Sequence, residues 1–199
     1  MIIRRTQKGP TRRIVITTMA SAMAAGAGAT AYAQMHGGGM HMHGADGTGH
    51  DEVHMPGLRG LDASAEESNE IAIMFQNFPM IERDVELLSD GIRTRTYSAD
   101  PDLMGVIVSH VTGMINRVEE GRDPKILIQS PTLDILFARN ATLVSEIEIA
   151  DDGIIVVQTS DNAEVVAALQ THADEVTDMA DRGMMAVHEM MMKRAGNNG

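Results

Sequence analysis

The chain contains no cysteine, so disulfides, thiolate metal sites and covalent haem attachment through a CxxCH motif are all excluded. Tryptophan is also absent, and aromatic residues make up only 3% of the 199 residues. Any hydrophobic core must therefore be built from Leu, Ile, Val, Ala and Met. No G-x-S-x-G, Walker or dinucleotide motif occurs, and no pair of carboxylates is set apart by spacing as an acid–base couple. No residue set calls for catalysis. What is present in excess is methionine, at 17 copies. Thioethers fill irregular gaps in cores, and they are also soft metal ligands.

The first 33 residues read as an export signal. Arg4, Arg5, Lys8, Arg12 and Arg13 form a basic stretch, followed by an Ala/Gly-rich apolar run from Ile14 to Thr30. Ala31-Tyr32-Ala33 then supplies the A-x-A pattern, which places cleavage after Ala33 and the mature chain in the periplasm. The twin arginines of TRRIVI resemble a Tat signal. The run is short and interrupted for a membrane span, and no other stretch approaches spanning length. Removing the signal leaves 11 basic against 28 acidic residues, a net charge of −17. A chain of that charge is not expected to bind nucleic acid or an anionic membrane surface; it suits cations or basic partners.

The body of the sequence repeats at an offset of 62 residues without a gap, residues 69–122 over residues 131–184. Identical pairs include Ile73/Ile135, Phe75/Phe137, Asp90/Asp152, Gly91/Gly153, Ser98/Ser160, His110/His172 and Gly121/Gly183. Each copy reads as helix, hairpin, helix. The short helices fall at 69–78 and 132–140. The strands fall at 83–88 with 92–97 and at 146–149 with 154–159, and an Asp-Gly turn joins each pair. The long helices start at the N-caps Asp100 and Asn162, and Gly121 ends the first. After Gly183 the apolar, Met-rich sequence either continues the helix or starts another. Two αββα units predict an α+β domain with a four-stranded antiparallel sheet, the long helices on one face and a pseudo-twofold relation between the copies. This domain spans 67–194. Residues 34–66 read as a disordered His/Met/Gly-rich tail, and residues 195–199 as a disordered end.

Three groups of soft and borderline ligands stand out. His110 and His172 are the only histidines within the two copies, and each lies on the apolar stripe of its long helix. Met114 follows His110 by one turn on the same face; the second copy has Val176 there. The C-terminal run holds Met184, His188, Met191 and Met192 on one face of a continued helix. The tail offers His36, Met40, His41, Met42 and His43. Imidazole with thioether selects Cu(I) over hard cations, so the leading expectation is copper buffering, transfer or tolerance. A second expectation is noncovalent haem with His110 and His172 as axial ligands. A third is a ligand-free interaction module that uses the Met-rich end to form a homodimer or bind a partner.

The segment TSDNAEVVAALQTHADEVTDMADRGM, with SPTLDILFARNATLVSEIEIADDGI upstream, resembles a poorly characterised group of small exported bacterial domains. The likeness covers Asn69 to His188. A motif of the form T-S-D-[DN]-x-x-V-V-x-x-[IL]-Q-x-H-A matches Thr159 to Ala173. Some members are fused to, or near, c-type cytochrome modules. The resemblance implies a periplasmic redox or metal context without a defined activity, and His172, His110 and His188 as the positions of interest. The partner expected beside the metal ion is a periplasmic c-type cytochrome or copper enzyme. This chain departs from a cytochrome in having no CxxCH, so any haem is noncovalent or on a partner.

Overall fold

The computed structural model describes residues 56–197. The signal expected at 1–33 and the ligands His36, Met40, His41, Met42 and His43 lie outside the described residues. Among the described residues, five α-helices and four strands follow a repeating order. Helix α1 (Ala65–Gln76), strands β1 (Glu82–Leu88) and β2 (Gly91–Tyr97) and helix α2 (Pro101–Glu120) come first. Helix α3 (Pro131–Ala138), strands β3 (Leu143–Ala150) and β4 (Gly153–Ser160) and helix α4 (Ala163–Arg182) come next. Helix α5 (Met184–Asn197) closes the chain. The domain is α+β, with one antiparallel sheet in the order β1-β2-β4-β3.

Local chemistry accounts for the boundaries. Ser64 and Glu67 form a reciprocal capping box on α1. Asp100 accepts from the Asp102 and Leu103 amides to cap α2, and Asn162 accepts from Glu164 to cap α4. Gly121 adopts φ 66°, the left-handed conformation that stops α2. Gly183 breaks the chain between α4 and α5 with φ 59° and ψ −137°, a backbone state open only to glycine. A Cβ there would lie 2.7 Å from the Phe78 ring. The Met-rich end is thus a separate helix.

The inner strands pair about a local twofold. Thr94 sits opposite Val156, the residue 62 positions later, and Ile92 opposite Gln158. Paired residues share a face, so Ile92, Thr94, Thr96, Ile154, Val156 and Gln158 all point the same way. That face is covered. Ile92 of β2 packs with Val165, Leu169 and Ala173 of α4. Ile154 and Val156 of β4 pack with Leu103, Ile107 and Ile115 of α2. Each long helix therefore finds its buried strand residues in the other hairpin. The opposite face carries Glu82, Asp84, Glu86, Glu146 and Glu148 on the outer strands, all exposed.

The folded part begins earlier than the composition suggests. A 3-10 turn spans Pro56–Leu58, and Leu58 is 2% exposed. Gly60 bridges Ile126, and Leu61 and Asp62 donate backbone hydrogen bonds to Lys125 and Pro124. The expected tail therefore stops short of residue 66, because a single buried leucine and a few backbone bonds anchor the chain without any periodic signal. At the other end α5 runs to Asn197, past the expected boundary at 194.

Candidate functional site

The covered sheet face does not fill completely. A cavity of about 320 Å³ lies between it and the helices. Its walls are mainly apolar, with Phe75 and Phe78 from the α1 side, Phe137 from α3, and Ile107, Val111 and Val176 from the long helices. All three phenylalanines of the chain line it. Both His110 and His172 line it as well, together with the thioethers Met74, Met114 and Met179. The two histidines expected at equivalent positions are brought to one space.

The imidazoles have matching surroundings built from different residues. His110 Nδ1 lies 3.8 Å from Glu70 Oε2, and His172 Nδ1 lies 3.6 Å from Glu175 Oε2. Neither Nδ1 completes a hydrogen bond, although both are sealed from solvent. Glu70 is held by the Ser109 hydroxyl, which donates to Oε1. In the second copy Thr132 stands where Glu70 stands in the first. There the carboxylate comes from Glu175 of α4 itself, and the Ser130 and Thr132 hydroxyls donate to it at 2.7 and 3.2 Å. The hydroxyls and His172 hold Glu175 below its usual pKa against the upward push of burial.

Burial drives the pKa of His110 down to about 4; nearby Glu67 opposes this, and a charge on His172 would add to it. The two histidines are thus close enough to feel each other's charge. His110 is neutral at physiological pH. A neutral imidazole whose Nδ1 faces a carboxylate carries its proton on Nδ1 and its lone pair on Nε2, the form that ligates metals.

The C-terminal candidates lie elsewhere. Helix α5 does align Met184, His188, Met191 and Met192, but none of the four lines the cavity; Val187 does. Met191 and Met192 are exposed at 45% and 60%, and His188 is also exposed. The helix turns its other side, Ala186 and Val187, into the core. Among the described residues, no group of three or more His, Asp and Glu side chains is placed to hold a metal ion. The donor set of the cavity is therefore two nitrogens and thioether sulfur, without a carboxylate cage.

Sequence reasoning missed Glu70, Met74, Arg83, Met179 and Glu175. Glu175 carried a signal, since it follows His172 by three residues on the same helix face. Glu70 and Arg83 come from distant elements. Arg83 alternates with Glu82 and Asp84 in a stretch that reads as a solvated strand. A comparison with known protein families, curated proteins and solved structures found no match.

Proposed function

We propose that the protein is an exported binding protein for a soft metal ion, and that Cu(I) is the ion its donors fit. One observation carries this reading: His110 and His172 line a single apolar cavity, each with its Nδ1 facing a glutamate. Two imidazoles with Met114 or Met179 beside them suit an ion that accepts low coordination numbers and prefers soft donors. Hard cations gain little, because neither Glu70 nor Glu175 lines the cavity. The His36–His43 segment then serves as a collector of ions for the cavity, and the resemblance to exported domains near cytochromes agrees with that setting. Among the described residues no helix is long and apolar enough to cross a membrane.

The test is Cu(I) titration of the mature chain, of a form beginning at Pro56, and of His110→Ala and His172→Ala. The shortened form should keep one high-affinity site. Each histidine variant should lose at least about tenfold in affinity, roughly one ligand's worth of free energy. Parent-like binding by both variants would sink the paired-histidine site.

The paired histidines carry one second reading, noncovalent haem with His110 and His172 as axial ligands. A space of about 320 Å³ lies at the small end of organic-ligand pockets and is smaller than a haem, so the helices would have to part to admit it. A Soret band in protein purified from its native compartment supports that reading; a colourless protein that takes up no added haem removes it.

A further inference from the structure

The cavity holds a cation with no counter-charge. Arg83 lies on β1, on the covered face opposite Thr96, and lines the cavity. Its Nη1 donates to the Thr96 hydroxyl at 2.8 Å. Its Nε is sealed from solvent and has no partner. Among the described residues no carboxylate pairs with it. The neighbouring Asp84 points to the other face and pairs with Arg95 at 3.0 Å. Burial lowers the pKa of Arg83 only to about 10, so the guanidinium stays charged at neutral pH. An unpaired charge out of water is costly, and proteins seldom keep one without a use.

The unused donors form a pair. With Nη1 turned to Thr96, the Nε–H and Nη2 edge of the guanidinium is left, and that edge matches the two oxygens of a carboxylate. The remaining walls are aromatic rings, thioethers and branched alkyl groups, which offer an acid's body no polar partner except the histidines and a few amide and hydroxyl groups. We propose that the cavity binds an amphipathic carboxylate, with a medium-length alkyl body among Phe75, Phe78 and Phe137 and the carboxylate forked onto Arg83. The acid would share the cavity's space with a metal ion but none of the proposed donor atoms, so the two readings are tested separately.

The experiment is calorimetric titration of the metal-free mature chain, in the presence of a chelator, with decanoate and with 1-decanol. Decanoate should bind at one saturable site, at least roughly tenfold more tightly than the alcohol, as befits a charge-assisted pair. Arg83→Gln should bring the two ligands to parity, while Arg83→Lys keeps part of the preference. Equal binding of acid and alcohol by the parent, or no saturable binding of either, overturns the proposal without reference to any variant. So does a folded Arg83→Gln protein that still prefers the acid. Cu(I) titration of the same preparations reads the metal site separately, so either result can fail alone.

Discussion

Arg117 is buried in a ring of acceptors, whereas Arg83 is half-buried and reaches a single hydroxyl. Arg117 is 5% exposed. It donates to both oxygens of Glu67, to the side chain and backbone carbonyl of Asp62, and to the Arg122 carbonyl. These contacts tie the segment before α1, α1 itself and the turn after α2 into one corner. Glu67 is held there at a pKa of about 2, chiefly by its hydrogen bonds to Arg117. Arg83 has no such ring. A buried charge that is fully satisfied is built for holding structure together, whereas a buried charge left open is available to something that arrives later. Neither arginine recurs in the other copy, where Ser145 and Met179 occupy the corresponding positions.

The largest expected effect breaks the satisfied side of this comparison. Arg117→Ala removes five hydrogen bonds and strands Glu67, and it should cost about 3–5 kcal/mol of stability in urea denaturation. A loss below about 1 kcal/mol would mean that water already replaces the corner.

Next comes the cavity's pH response. His110 has a folded pKa of about 4 against an ordinary 6.5, so the unfolded chain binds its proton first as pH falls. Stability from keeping it neutral is complete above pH 6.5 and is lost between about 6.5 and 4, a decline on the order of 3 kcal/mol. The groups around it are Glu70 at 3.8 Å, Glu67 and His172. Glu67 titrates in a separate window: its contribution is present above 4.5 and is lost as pH falls through about 2. Unfolding of the metal-free protein measured from pH 7 to 4 should show the first decline, and His110→Leu should flatten it. An unchanged slope in that variant assigns the decline to another group.

A smaller effect, of opposite sign, sharpens the contrast. Arg83→Met replaces an uncompensated charge by a side chain of similar length and should raise the melting temperature of the ligand-free protein, by about 1 kcal/mol in stability. A destabilised variant would show that Arg83 is held by something other than Thr96. Smallest of all is the exposed pair on the open face. Asp84→Ala breaks the 3.0 Å contact with Arg95 and should change stability by less than about 1 kcal/mol, with the difference fading in high salt.

Much of the fold was legible because its signals are local. The Asp-Gly turns set both hairpins, Asp100 and Asn162 start the long helices, and Gly121 ends one. The offset that aligns Thr94 with Val156 also aligns the two histidines, so their equivalence could be read before any coordinates. Their meeting in one cavity could not, since it depends on how α2 and α4 lie across the sheet. The carboxylates behind them were less legible still. Glu70 reaches His110 from another helix, and the second copy replaces that arrangement with Glu175. Arg83 was hidden by its neighbours: a strand reading Glu-Arg-Asp-Val-Glu looks solvated on both faces, and only the pairing with Thr96 shows which side turns inward. At the C-terminus the Met/His spacing did describe one helix face, but Ala186 and Val187 took the buried side and left the ligands outside.

The strand order has a consequence for behaviour in a crowded compartment. Because β2 and β4 pair at the centre, the sheet ends, among the described residues, in β1 on one side and β3 on the other. Those are the strands that carry Glu82, Asp84, Glu86, Glu146 and Glu148. A second molecule that tried to extend the sheet would bring like charges together at every other residue, with no salt-bridging lysine on either edge strand to relieve them. Charge of this kind on both outer strands disfavours growth of the sheet beyond four strands, in a chain that exposes several methionines and leucines.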